Sequence, residues 1–269
     1  MIDMSAEEFV PVSSGSLCVT RQGDPSGPLV LQLEGHRAQL ISVPSEYLER
    51  LAAAGMNVVS VDNRDVGRSF HAARDYTLEE MAEDIHQLIG RLGGPAIVTG
   101  RSMGGAIAQL LALKHPDDVA GLGLFYTFAL SARRAPSPPT PAPFLTCAEF
   151  IDYELEALEQ LAGSRFPMRP DDIVELARAM WRRGVSWAGW ERQRRAMETT
   201  EPWAHRLGEI SVPTVVVHGS EDPVIPPEGG RQLAKGIEGA DFHLIEGMGH
   251  QQPPELSDLF ADLTLALVR

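Results

Sequence analysis

The residues whose types and spacing could do chemistry are a serine between glycines in Gly100-Arg-Ser-Met-Gly104, an aspartate in Gly219-Ser-Glu-Asp-Pro223 and a histidine in Gly247-Met-Gly-His250. A serine hydroxyl is a weak nucleophile until a base takes its proton, and an imidazole base needs a carboxylate to hold its tautomer. Ser102, His250 and Asp222 supply those three parts, in the chain order Ser, Asp, His. The chemistry would be acyl transfer, with the hydroxyl attacking a carbonyl carbon. The G-x-S-x-G spacing suits a sharp turn that forces serine into a strained backbone conformation, where only glycine leaves room beside it. The positive end of a helix beginning just after Ser102 would favour a developing oxyanion.

Such a site exists only if the chain brings three distant loops together, and its periodicity supplies the elements to do so. Residues 95–100 read as a buried strand, and Ala106-Ile-Ala-Gln-Leu-Leu-Ala-Leu113 as an apolar helix. Before them come two β-like runs around Ser14-Gly15, a strand over 29–33, a helical pattern over 44–54 and a strand over 56–61. The polar loop Asp62-Asn-Arg-Asp-Val-Gly-Arg-Ser69 follows. Thr77-Leu-Glu-Glu80 has the form of a capping box, after which Leu78, Met81, Ile85, Leu88 and Leu92 keep one helical face apolar. A strand over 119–126 comes next. After an interruption, strands over 212–218 and 242–245 alternate with helices over about 228–238 and at the C-terminus. There Leu256, Leu259, Phe260, Leu263 and Leu267 share a face. Alternating strands and helices predict an α/β fold: a mostly parallel sheet of about eight strands with helices on both faces. Ligands of such sheets bind beyond the C-terminal ends of the strands. Glu34-Gly35-His36, residues 62–69, Ser102, Asp222 and His250 all follow strands there.

The interruption begins with Ala135-Pro-Ser-Pro-Pro-Thr-Pro-Ala-Pro143, which can form neither a helix nor a central strand. Residues 144 to about 207 then read as helical and hold all four tryptophans, Trp181, Trp187, Trp190 and Trp203. The expected division is a core of residues 1–130 and 208–269, with 131–207 inserted as a helical cap over the strand ends. Trp181, Trp187 and Trp190, with Gly35 and Phe128, are the candidate substrate-binding residues, although tryptophans are more often core than ligand platform.

With 269 residues and 43% hydrophobic content, the chain has ample core for one large domain with an insertion. Its formal net charge of −14 argues against nucleic acid and anionic membrane surfaces as partners. The two cysteines, Cys18 and Cys147, lie far apart and outside metal-type spacing, which points to free thiols in a reducing compartment. The N-terminus shows no signal-peptide pattern, and the longest apolar run, 119–130, is too short to span a bilayer. A cytoplasmic protein, monomer or homodimer, is expected. No phosphate-binding loop or metal-ligand spacing is visible, so neither a cofactor nor a metal is expected.

The elbow around Ser102, the loop His218-Gly-Ser-Glu-Asp-Pro223, the Gly-Met-Gly-His250 ending and the Asp62-x-Arg-x-x-Gly-x-Ser69 loop, in this order, resemble the α/β-hydrolase superfamily over nearly the whole chain. Within it the sequence is most similar to the aclacinomycin methylesterase group of polyketide-tailoring esterases, which shares Asp65 where the wider superfamily usually has glycine. The resemblance implies a serine carboxylic-ester hydrolase without a cofactor, acting on a bulky apolar or aromatic small-molecule ester, with a polyketide methyl ester as one candidate. Peptide, lactone or carbon–carbon bond cleavage by the same triad stays open, as does a ligand receptor with a vestigial hydrolase site.

One departure stands out. The family usually carries His-Gly after its third strand, whereas this chain has Glu34-Gly35-His36. By position, the N–H groups of His36 and Met103 would hold the oxyanion. A carboxylate at ~6 Å with an effective dielectric of ~20 would oppose that charge by about 3 kcal/mol. Glu34 must therefore turn away or pair with a cation, for which Arg37, Arg64 and Arg101 are candidates. Other residues compete for roles: His36 with His250 for side-chain chemistry, and Glu221 with Asp222. His218 reads as structural and His86 as a solvated surface residue. The acids Glu149, Asp152, Glu154, Glu156 and Glu159 read as a solvated helix face or, alternatively, as a recognition site for a substrate amine.

Overall fold

The computed structural model describes residues 7–132, 138 and 140–268. Its centre is an eight-stranded sheet in the order β1-β2-β4-β3-β5-β6-β7-β8. The strands are β1 (Glu8–Val12), β2 (Gly15–Gly23), β3 (Leu29–Leu33), β4 (Asn57–Val61), β5 (Ala96–Arg101), β6 (Val119–Phe125), β7 (Thr214–Gly219) and β8 (Asp241–Ile245). The hairpin β1–β2 joins the sheet antiparallel against β4, and every pairing from β4 to β8 is parallel. The central strands are apolar on both faces because helices cover both. Val59, Val98 and Val216 point to one side, while their neighbours Val58, Ile97, Val215 and Val217 point to the other.

On the first face lie α2 (Leu78–Leu92), α3 (Met103–Lys114) and α7 (Pro227–Gly236); on the second lie α1 (Ser45–Ala53) and α8 (Ser257–Leu265). Helix α2 starts where its capping box predicts: the Thr77 hydroxyl accepts from the Glu80 N–H, and the Glu80 carboxylate from the Thr77 N–H. It ends at Gly93, whose φ of 99° suits glycine. Helix α3 is buried from Met103 through Ala112, so it shows no polar face in the sequence.

Between β6 and β7 the chain forms α4 (Cys147–Leu161), α5 (Pro170–Arg183) and α6 (Trp187–Thr199). These helices bury a cluster of their own, made of Phe144, Phe150, Ala177, Met180 and Trp190 with Val66 from the 62–69 loop. The end of the segment returns to the main core, where Ala196, Trp203 and Leu207 are buried. Of the proline-rich stretch 135–143, residues 135–137 and 139 lie outside the described residues. Both cysteines are free, and burial pushes the Cys18 thiol up to about 12. Among the described residues, no helix is long and apolar enough to cross a membrane.

Candidate active site

Strand β5 ends at Arg101 and helix α3 begins at Met103, so the whole turn falls on Ser102, with φ 49° and ψ −118°. That conformation is costly for a residue with a side chain and needs support from its surroundings. The Ser102 N–H donates to the Phe125 carbonyl, and the Thr127 hydroxyl donates to the Ser102 carbonyl at 2.5 Å. The flanking glycines are steric requirements. A Cβ on Gly100 would fall 2.4 Å from the Gly104 backbone, and one on Gly104 would fall 2.3 Å from the Leu33 carbonyl oxygen.

His250, in the loop after β8, places Nε2 2.9 Å from Ser102 Oγ. Its Nδ1 lies 2.8 Å from Asp222 Oδ2, in the loop after β7. A carboxylate only accepts, so Nδ1 carries the hydrogen and Nε2 is left to accept the serine proton. The other Asp222 oxygen accepts the N–H groups of Val224 and Ile225 at 2.9 and 2.8 Å. Burial pushes the Asp222 carboxyl up, but the His218 and His250 imidazoles and the backbone N–H of Ile225 outweigh it and hold the group well below the usual carboxylate range. Glu221 points elsewhere and accepts the N–H and hydroxyl of Ser164 at 2.7 and 2.8 Å.

Gly35 passes directly over Ser102: a Cβ there would sit 3.2 Å from Ser102 Cβ and 3.8 Å from Oγ. His36 follows, and its Nε2 lies 2.9 Å from the Trp190 carbonyl oxygen on α6. Burial lowers the His36 pKa to about 4, so at neutral pH its uncharged ring donates Nε2–H to that carbonyl. The imidazole is thereby committed to α6. Glu34 pairs with Arg101, at 3.2 Å, with both side chains buried. Burial raises the Glu34 pKa against the pull of that guanidinium. The other two candidate cations are engaged elsewhere: Arg64 with Asp84 at 2.6 Å, and Arg37 with the Tyr153 hydroxyl at 2.5 Å and Glu154 at 3.6 Å.

The 62–69 loop joins these loops to the helical segment. Asp62 accepts the N–H groups of Leu40 and Arg68 at 2.8 and 3.0 Å and receives Arg183 from α5. Ser69 locks the loop base, accepting from the Cys18 N–H and donating to the Asp62 carbonyl. Asp65 has φ 73°, the left-handed region that suits glycine. Here its carboxylate takes the Arg192 guanidinium of α6 on both oxygens, at 2.9 and 2.6 Å, and accepts the Ala72 N–H at 3.0 Å.

Trp181, Trp187 and Trp190 pack with Phe144, Phe150 and Tyr153, and Trp190 is buried. Phe128 lies against Trp203, 6.1 Å between ring centroids, away from that cluster. Several contacts of the site lack a local sequence signature. The Tyr126 ring stands edge-on to His250 at 5.0 Å, and Gln252 accepts the Arg101 guanidinium at 2.8 Å from Nε. The fully buried His218 reaches the Ile225 carbonyl oxygen at 2.9 Å and the Asp222 carboxylate at 3.4 Å through Nε2. Its place four residues before Asp222 was the available clue. Among the acids of α4, Glu154 is buried rather than solvated.

A strand, a one-residue turn and a helix carrying a serine, with histidine and aspartate on loops from later strands, together form an arrangement suited to acyl transfer. Known proteins resemble the chain as a whole. The chain is 30% identical over 266 residues to the rhodomycin D methylesterase DauP of Streptomyces sp. (strain C5), covering 86% of this chain and 87% of that protein. It is 31% identical over 268 residues to the rhodomycin D methylesterase DnrP of Streptomyces peucetius, again covering 86% and 87%. A hydrolase from Pseudomonas aeruginosa PA01 superposes with a TM-score of 0.77 at 24% identity, over 99% of both chains, a likeness of fold. With a family model for the alpha/beta hydrolase fold matching residues 41–253, the chain belongs to the α/β-hydrolase family and is an enzyme of that family.

Proposed function

We propose that the protein hydrolyses a carboxylic ester by a covalent route through Ser102. The observation that carries this reading is the continuous line from Asp222 Oδ2 to His250 Nδ1 at 2.8 Å and from His250 Nε2 to Ser102 Oγ at 2.9 Å. His250 takes the hydroxyl proton while Ser102 Oγ bonds to the ester carbonyl carbon. The resulting oxyanion sits against the N–H groups of His36 and Met103. Collapse breaks the carbon–oxygen bond of the ester, and His250 gives its proton to the departing alcohol. Water then attacks the acyl-serine with His250 again as base, releasing the acid and restoring the hydroxyl. Asp222 holds the Nδ1–H tautomer and offsets the positive charge that the imidazole gains.

Similarity to two methylesterases favours a methyl ester on a bulky aromatic acid, with methanol as the leaving alcohol. Residues 131–207 would act as a helical cap on a core of 1–130 and 208–269. Trp181, Trp187, Trp190 and Phe128 are the proposed aromatic contacts, and Gly35 leaves the space that the carbonyl needs above Ser102. The test is hydrolysis of a p-nitrophenyl ester and methanol release from an aromatic methyl ester. Ser102→Ala and His250→Ala should each lower kcat by on the order of 10⁶, and the double variant should be little worse than either alone. Losses that multiply in the double variant would show the two residues acting independently and overturn the assignment.

A further inference from the structure

A second cluster of reactive side chains lies at the other end of α3. Glu83 and His86 sit one turn apart on α2, His115 follows the last residue of α3, and Asp118 lies in the turn before β6. Contact between α2 and α3 brings the imidazoles of His86 and His115 face to face, 3.7 Å between centroids with 8° between planes. Each ring has one nitrogen against a carboxylate. His86 Nδ1 lies 2.5 Å from Asp118 Oδ2, and His115 Nε2 lies 3.1 Å from Glu83 Oε2. One ligand atom from each of Glu83, His86 and His115 falls within 4.8 Å of the other two. His86 is therefore not the freely solvated side chain that its place on α2 suggests.

We propose that Glu83, His86 and His115 form a binding site for a divalent transition-metal ion of the zinc class, with Asp118 as a fourth ligand or as the carboxylate that orients His86. Two imidazoles with one or two carboxylates suit Zn²⁺, Ni²⁺ or Cu²⁺, whereas Mg²⁺ and Ca²⁺ prefer all-oxygen sites. Parallel rings cannot aim their lone pairs at one ion, so binding tilts at least one of them. Both are partly exposed and have that freedom. The ion also displaces the Lys114 ammonium from Glu83, and that lysine is half-exposed and moves readily into solvent. His86 and His115 are 29 positions apart in the chain, so the unfolded chain presents no comparable site. Binding therefore favours the folded state and ties α2 to the turn before β6. With ~1.5 Å rise per residue along α3, the site is roughly 18 Å from Ser102. Its role is structural, independent of the reaction proposed above.

The test is thermal unfolding of chelator-treated full-length protein with and without Zn²⁺, with calorimetric titration for stoichiometry. Zn²⁺ at about 100 times its Kd should raise Tm by about 5 °C, with one ion per chain, while Mg²⁺ should not. His86→Ala and His115→Ala should each weaken binding more than tenfold and remove the shift, with circular dichroism unchanged; Asp118→Asn should weaken it less. His243→Ala, which alters a part-buried histidine on β8, should leave the shift intact. Absence of a shift in the parent protein, or a shift that survives in the His86→Ala/His115→Ala double variant, would overturn the proposal. Ester hydrolysis by Ser102 is read separately, so either conclusion can fail alone.

Discussion

The two nitrogens of His250 face different groups, Asp222 and Ser102, and the aspartate decides which of them carries the hydrogen. Asn in place of Asp222 keeps the shape but can donate its own N–H toward Nδ1, which favours the wrong tautomer. Asp222→Asn should stay folded and lose about 10⁴ in kcat. Acid unfolding gives a second readout. Unfolded, the Asp222 carboxyl binds its proton near 3.8; folded, it does so only at lower pH. Between those values the unfolded chain binds more protons, so the stability contributed by this carboxylate falls as pH drops through the window. The stability gap between parent and Asp222→Asn should therefore narrow below pH ~4 relative to pH 6, as urea denaturation would measure. At His36 the expectation is the reverse of catalytic. Its imidazole is neutral and bound to the Trp190 carbonyl, so His36→Ala keeps the N–H and should cost less than about tenfold in kcat. A loss above a thousandfold in a folded variant would mean that this side chain does chemistry.

The loops are as specific in their partners as the single residues. In the 62–69 loop the backbone at Asp65 wants glycine, yet the chain keeps a carboxylate that grips Arg192 with two hydrogen bonds. A left-handed conformation costs a residue with a side chain about 1–2 kcal/mol more than glycine, while breaking a buried ion pair costs about 3–5 kcal/mol. Asp65→Ala loses the pair and keeps the strain; Asp65→Gly loses the pair and sheds the strain. Both should destabilise the protein, the alanine by about 1 kcal/mol more than the glycine. An Asp65→Ala variant as stable as the parent in chemical denaturation would mean that the Arg192 contact contributes nothing.

Across the whole molecule, the helices between β6 and β7 are held to the sheet by charged groups buried in pairs. Arg183 of α5 reaches Glu7, Asp62 and Gln39 at once and is almost fully buried. Burial pushes its guanidinium down to about 10, which leaves it charged at neutral pH. Arg183→Met fills much of the same volume but leaves the Asp62 carboxylate buried without its cation. The expected loss is about 3–5 kcal/mol, or a fall in Tm of roughly 10 °C. Because the 62–69 loop adjoins the end of the sheet that carries Ser102, activity should fall before global unfolding as temperature rises. Coincident loss of activity and of circular dichroism in this variant would mean that α5 and the sheet separate only together.

The α/β alternation, the turn at Ser102 and the capping box at Thr77 were legible in the chain because each depends on neighbours within a few residues. A glycine pair around serine, a threonine three residues before a glutamate and apolar runs of strand length encode local backbone geometry directly. The likeness of Asp222 and His250 to family motifs also lies in short loops, so those residues could be singled out before any fold was known. What Glu34 does could not be read that way. The rule that a carboxylate near an oxyanion needs a cation named three arginines, and only the register of β3 beside β5 places Arg101 against it while Arg37 and Arg64 turn to Glu154 and Asp84. The same limit applies to the reason Asp65 tolerates positive φ, to the burial of Glu154 and to the stacked rings of His86 and His115. Each depends on a partner from another element, tens of residues or more away in the chain. Pairings over such separations are set by how helices and strands pack rather than by local spacing, so they became visible only in the tertiary structure.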